Sequence, residues 1–164
     1  MTRLERFKDK MMEKGADAAV ISSAINQRYL TGFDYTDGYV LVTKNKSYVL
    51  ADFRYIEAAR ATVDATQFEI VMPEGSMLSC VAGLLDGNDC KTVAFEDVTL
   101  SVSMLERMKK MFVGKELCAG ASEIADGLRL YKDYDEIEKM KKAQAITDAG
   151  FEHILKMLKN IWAE

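Results

Sequence analysis

The chain has 164 residues, 49% hydrophobic and 29% charged, a globular composition with enough material for one well-packed domain and too little for two ordinary ones. Its net charge of −4, with lysines scattered or interleaved with glutamate, argues against nucleic acid as a partner. No apolar run approaches the ~18 residues of a membrane span, and Met1, Thr2, Arg3, Leu4, Glu5, Arg6 and Phe7 alternate charged with apolar character where a secretory segment would be unbroken, so no membrane partner is expected.

Thr2 followed by Glu5 is a capping box, and Leu4, Phe7 and Met11 recur at helical spacing until Lys14 and Gly15 supply a stop, which predicts an amphipathic first helix. Residues 17–22 read as a short buried strand. In residues 26–33 the pair Tyr29 and Leu30 sits beside Gly32. This stretch reads as a rigid turn, with the pair buried and the glycine in a backbone state that other residues avoid, and it presents the polar loop 34–38. Residues 39–43 and 47–51, around Lys44, Asn45 and Lys46, form the clearest hairpin in the sequence. Asp52 then reads as the N-cap of an alanine-rich helix running to Arg60.

Further along, residues 68–72 predict a strand closed by Pro73, the single proline, and residues 76–85 a helix ended by Asp86, Gly87 and Asn88. Residues 92–95 form a buried strand. Residues 101–112 form a helix with Met104, Leu105, Met108 and Met111 on one face, and residues 115–118 an edge strand. Strands alternating with helices imply an α/β sandwich, and the hairpin makes its sheet mixed. Cys80, Cys90 and Cys118 are odd in number and lack CxxC spacing, so they read as core thiols of a reducing, cytoplasmic compartment rather than a disulfide framework or zinc knuckle.

From Tyr134 to Trp162 no proline interrupts a strongly helical composition, which predicts one helix of ~29 residues with room for a kink at Gly150. Its solvated face carries a Glu138 to Lys142 pairing. Ile137, Met140, Phe151, Ile154, Leu155, Leu158, Ile161 and Trp162 make an apolar stripe along it, which needs either a second subunit or downstream sequence as cover. Downstream sequence is favoured, which makes the chain an expected fragment of a longer enzyme.

Asn26, Tyr29, Leu30, Thr31, Gly32 and Phe33 closely resemble the Asn-x-x-Tyr-Leu-Thr-Gly-Phe signature of the creatinase/prolidase N-terminal domain, the family of the pita-bread metallopeptidases. Three other stretches are similar to that family in the expected order. Asp52, Arg54, Tyr55 and Ala58 match Asp-x-Arg-Tyr-x-x-x-Ala. Leu128, Arg129 and Lys132 match Leu-Arg-x-x-Lys, with Tyr131 where the family has Ile or Val. Glu136, Ile137, Met140, Lys141 and Ala143 match the helix that begins the catalytic domain.

The resemblance implies an RNase H-like mixed-sheet sandwich flanked by helices over residues 1–132, then a linker and long C-terminal helix over 133–164 that would begin a missing catalytic domain. It implies the non-catalytic N-terminal domain of an Xaa-Pro aminopeptidase or dipeptidase, which supports a homodimer and lends a loop that narrows the neighbouring subunit's active site to short proline-containing peptides. Here that loop is 34–38, with Tyr35 and Asp37 the side chains expected to approach substrate. Two divalent metal ions (Mn, Co or Zn), held by two Asp, one His and two Glu, are implied for the missing domain and none for this one. His153 is the only histidine and has no HxxxH or HxxE spacing around it, so it reads as a solvated or packing residue, and no catalytic residue is expected here.

Other readings stay open at this point. A creatinase-type amidinohydrolase shares the N-terminal motifs. A stand-alone module could dimerise through the final helix, and Asp52, Glu96 and Asp97 follow strands where a nuclease gathers Mg²⁺, although helix capping for Asp52 and a solvated turn for Glu96 and Asp97 are simpler. GxGxxG, P-loop and GxSxG are absent from the sequence, which leaves nucleotide binding and serine hydrolysis without support.

Overall fold

The computed structural model describes residues 1–161. The elements run α1 (Arg3–Glu13), β1 (Ala18–Ile21), α2 (Ala24–Thr31), β2 (Gly38–Thr43), β3 (Ser47–Ala51), α3 (Ile56–Thr62), β4 (Glu69–Val71), α4 (Met77–Gly87), β5 (Thr92–Phe95), α5 (Val102–Met111), β6 (Glu116–Ala119), α6 (Ala121–Leu130) and α7 (Tyr134–Ile161). The chain divides into two compact units, residues 1–129 and the segment from Leu130 onward.

In the first unit six strands form one sheet in the order β4-β3-β2-β1-β5-β6. Only β2 runs against its neighbours, since β1 pairs antiparallel with it and parallel with β5, while β3 is antiparallel to β2 and parallel to β4. The sheet is therefore mixed because of the hairpin, as the sequence predicts. Every residue of β1 and β3 is buried, because helices cover both faces. Alternate residues feed two cores. Ala19 and Ile21 join Phe7, Met11, Leu30, Ile56 and Ile124 on one face, and Ala18 and Val20 join Leu78, Val81, Leu85, Met108 and Phe112 on the other.

Local sequence explains most of the boundaries. Both halves of the Thr2 and Glu5 capping box form at α1, and Leu4, Phe7 and Met11 are its buried face. The hairpin register pairs Gly38 with Ala51 and Val42 with Ser47. A Cβ on Gly38 would lie 2.2 Å from the Leu50 carbonyl oxygen and 2.4 Å from the Tyr35 ring, so only glycine fits there.

Several expectations change. The stretch 26–33 is a helix end rather than a turn: Ser23 caps α2 by accepting the Asn26 N–H, and Gly32, at φ 72°, ends it. Tyr29 and Leu30 are buried and Gly32 is left-handed as anticipated. Asp52 is not an N-cap. Helix α3 begins at Ile56 with Tyr55 as a cap residue that makes no side-chain bond, because the Asp52 carboxylate is held by Arg54. Met111 is 39% exposed while Met108 is fully buried, so the apolar face of α5 is narrower than its methionine spacing suggests. Helix α6 has no counterpart in the reading of the sequence, although Ala121, Ile124, Ala125 and Leu128 recur at helical spacing.

The second unit is dominated by α7, which runs unbroken through Gly150. Asp133 and Glu136 exchange backbone-to-carboxylate bonds of 2.9 Å at its start, a reciprocal cap. Glu138 pairs with Lys141, one residue short of the anticipated Lys142. Along the helix Ile137, Met140, Phe151, Ile154, Leu155 and Leu158 are exposed. Trp162 lies outside the described residues, and so does the side chain of Ile161.

Two side chains tie the sheet together from opposite ends. At one end, the Asp17 carboxylate bonds Lys44 Nζ at 2.5 Å and accepts the Thr92 and Lys91 N–H groups at 3.0 Å, joining the hairpin turn to the start of β5. The Lys44 bond and then these two N–H groups hold its pKa down at about 2. A depressed carboxyl stabilises the fold above its unfolded value and loses that contribution as pH falls from about 4 to 2. Since Asp17 is 24% exposed, Asp17→Asn should cost about 1–2 kcal/mol at pH 7 and close on wild type by pH 2 in urea unfolding.

At the other end lies Glu96, 0% exposed. Its carboxylate accepts the Ser22 and Ser23 N–H groups at 2.5 and 2.7 Å, both serine hydroxyls at 3.0 and 2.8 Å, and Asn26 Nδ2 at 2.7 Å. This corrects the expectation of a solvated turn, because the donors arrive from the neighbouring strand end, far away in sequence. Asp97 is exposed and accepts the Gly120 N–H. Glu96→Gln turns an NH₂ toward N–H and O–H donors and should cost about 2–3 kcal/mol in chemical unfolding; a loss below ~0.5 kcal/mol would show that the pocket rehydrates.

Candidate functional site

The carboxyl ends of the parallel strands β1, β3, β4 and β5 open onto one crevice of about 760 Å³. In open α/β sheets this edge is where ligands bind, since the chain leaves each strand as an exposed connection there. Ser22 and Ser23 follow β1, Asp52 and Arg54 follow β3, and residues 73–76 and 99–101 follow β4 and β5. Thr36, Asp37 and Gly38 of the loop entering β2 form one wall.

Four side chains from outside the loop bond to it. Arg54 donates to Asp37 at 2.7 Å and to Asp52 at 2.5 Å, so it clamps the loop to the end of β3. Bonding to Asp52 and then Asp37 holds the guanidinium well above its ordinary range, and Asp52 is lowered in return. Tyr55 shares a 3.0 Å hydrogen bond with Thr36, Arg28 pairs with Asp34 at 3.1 Å, and Gln27 donates to the Gly38 and Ile21 carbonyls at 2.9 and 3.2 Å.

Tyr35 supports the loop from inside. It is 2% exposed, its ring stacks on Phe33 with centroids 5.1 Å apart and is tilted against Tyr55 at 6.2 Å. Its hydroxyl has no hydrogen-bond partner among the described residues, and burial pushes its pKa up. Asp37, by contrast, is exposed on the crevice wall.

The other motif residues form a second cluster behind this one. Asn26 bonds Glu96 and accepts from Arg129 at 3.2 Å, so residues 103 positions apart in sequence meet through one amide. Tyr29 donates to the Leu128 carbonyl at 3.2 Å and lies under the Arg3 guanidinium at 4.6 Å. Thr31 Oγ1 accepts the Phe33 N–H just past Gly32. Lys132, in the second unit, donates to the Leu130 carbonyl. Asn26, Tyr29, Gly32, Phe33, Asp52, Arg54, Tyr55 and Arg129 therefore shape and brace one end of the sheet.

Reading the sequence missed Gln27, the burial of Glu96, and Arg107, which lines the crevice from α5. Gln27 and Glu96 were legible only as polar residues in apolar surroundings, a faint signal of an internal bond. Among the described residues no group of three or more His, Cys, Asp or Glu side chains is placed to hold a metal ion. Asp52 is committed to Arg54 and Glu96 to its five donors, so the donor sets here do not fit a dinuclear centre, and a nuclease arrangement is not built.

Comparison with known proteins follows the same lines. Residues 3–131 match the model of the Creatinase/Prolidase N-terminal domain. The chain is 30% identical over 157 residues to the uncharacterized peptidase YqhT of Bacillus subtilis, covering 96% of this chain and 44% of that protein. It superimposes on an Xaa-Pro dipeptidase from Bacillus anthracis with TM-score 0.88 and 32% identity, over 94% of this chain and 42% of the other. On the N-terminal domain of the cytoplasmic peptidase PepQ from Mycobacterium tuberculosis the TM-score is 0.68 at 25% identity, over 77% of this chain and 97% of that one. The chain spans less than half the length of the first two proteins. A six-stranded mixed sheet, motif residues gathered at one edge of it and a family match across residues 3–131 together place the chain in the creatinase/prolidase N-terminal domain family.

Proposed function

We propose that this chain is the non-catalytic N-terminal domain of a longer, cytoplasmic Xaa-Pro peptidase, in which it supports a homodimer and shapes substrate access. The observation that carries this reading is the superposition on the Bacillus anthracis Xaa-Pro dipeptidase, which takes in 94% of this chain but only 42% of the other. The remainder of such a protein would supply the two divalent metal ions and the reaction. Free cysteines throughout the described residues agree with a reducing compartment.

Within that arrangement the loop 34–38 acts at the neighbouring subunit's active site on short proline-containing peptides. Asp37 is the side chain that approaches substrate, held in place by Arg54, and Tyr35 sets the height of the loop from the core. Fixing a group that touches substrate lowers the cost of orienting it.

A second reading rests on the exposed apolar residues of α7: a stand-alone module that dimerises through this helix. Sedimentation of the 164-residue chain with and without Leu155→Asp separates the two readings, because a helix-mediated dimer becomes a monomer while a truncated enzyme keeps its assembly state. A creatinase-type parent would be recognised by hydrolysis of an amidino substrate in place of Xaa-Pro peptides.

The source gene, read past the codon for Glu164, should continue and encode two Asp, one His and two Glu in that order; a stop codon there overturns the proposal. The full-length product should cleave Xaa-Pro substrates with added Mn²⁺ while the 164-residue chain does not. In the full-length protein, Asp37→Ala and Arg54→Ala should each lower kcat/KM roughly tenfold. Tyr35→Phe removes a buried, unpaired hydroxyl and should leave thermal stability unchanged or raise it by about 0.5–1 kcal/mol; a loss above ~1 kcal/mol would mean that the hydroxyl has a partner.

A further inference from the structure

The crevice is lined by more than the loop that forms its wall, and α5 adds a charged side chain that the proposed role of the loop leaves unused. Its charged side chains come from two different parts of the chain. Where the loop meets the end of β3, Asp37 and Asp52 share one Arg54, leaving one net negative charge. On α5 stands Arg107, for which no ion pair is formed among the described residues. The sequence explains why: positions three and four away from it on the helix are Ser103, Met104, Lys110 and Met111, and its neighbour Glu106 is taken by Lys109 at 2.8 Å.

The rest of the lining mixes serine and threonine side chains with flexible apolar ones. Met77, Leu78, Leu100 and Met104 are the apolar ones, with Gly38 and Gly75 offering bare backbone. Tyr39 is half-buried on the same side, its hydroxyl donating to Met104 Sδ at 3.7 Å; burial pushes its pKa up and the nearby Arg107 opposes that. The volume of about 760 Å³ lies inside the range of about 300–1,000 Å³ of small-ligand sites.

A net negative charge where the loop meets the end of β3, apolar side chains in the lining, and on α5 a guanidinium with no ion pair among the described residues complement a peptide that sets its free carboxylate on Arg107. We propose that this crevice binds the carboxyl-terminal tail of peptides longer than the two residues at the scissile bond, with Arg107 as the partner of the terminal carboxylate. The inference rests on the peptidase reading for its ligand class. A planar guanidinium suits a carboxylate because it can give two parallel N–H bonds. The site would then favour longer peptides by holding the end that the catalytic centre does not.

The test is binding, which needs no catalysis and so fails or succeeds apart from the hydrolysis assay. The ¹⁵N-labelled 164-residue chain is titrated with Ala-Pro-Ala-Ala-Leu bearing a free carboxyl end, and with its carboxamide. The free acid should shift the Gly38, Gly75 and Met104 amide resonances and bind about fivefold more tightly than the carboxamide. Arg107→Gln should erase that difference while the spectrum of the rest of the sheet stays in place, and Arg107→Lys should retain part of it. Equal binding of the two peptides, shifts confined to other surfaces, or no binding of either overturns the proposal. If the full-length protein cleaves no Xaa-Pro peptide and the carboxylate preference persists, the peptidase reading fails and the crevice stands as a carboxylate-end site.

Discussion

A buried carboxylate with every oxygen lone pair occupied by a donor holds this domain's working edge together. Glu96 follows β5, yet all its partners lie on the neighbouring β1 to α2 connection and the first turn of α2. An isolated ionised carboxyl would not stay in such a place, because desolvation costs several kcal/mol. Here the backbone N–H groups of Ser22 and Ser23 point at it from the residues that lead into α2, next to the positive end of the helix dipole, which favours an anion. Seating α2 in this way aims its C-terminal end, and Gly32 with it, toward the loop 34–38.

From that anchor the rest of the edge follows. Asn26 carries the network onward to Arg129 at the end of α6, and Gln27 on the next position of the same helix reaches the carbonyl of Gly38 on β2. One turn of α2 therefore fixes both the last helix of the first unit and the first residue of the hairpin. Arg54 completes the frame from β3 by bonding Asp37 and Asp52 together. The creatinase/prolidase motif residues in the first unit thus serve mainly as braces, and their spacing along the chain records which ends of the sheet must meet.

The placement also gives the crevice its character. Glu96 is buried and Asp52 is tied to Arg54 by the framework, so what remains open is a lining of mixed polar and apolar side chains with Asp37 and Arg107 on its walls. Such a surface binds and orients more readily than it reacts, which suits a domain whose relatives carry additional chain beyond it.

Much of this was written locally in the sequence. The capping box, the buried face of α1, the hairpin, the left-handed Gly32 and the α/β alternation rest on interactions between residues a few positions apart, and these were legible. Helix α2 was harder: its run is short and its buried face includes Asn26 and Gln27, whose polarity hides the apolar period until their partners are known. Asp52 has the chemistry of an N-cap, and only the fold brings Arg54 and Asp37 close enough to claim it. Glu96 and Arg107 look alike from the sequence, each a charged residue near a helix. Tertiary structure made one a buried hub and the other an open cation, because pairing of β1 with β5 sets donors 70 to 74 positions away around Glu96, while among the described residues no acid forms an ion pair with Arg107. Sequence determined which elements form; the meeting of strand ends decided which side chains are spent on the frame and which stay free to bind.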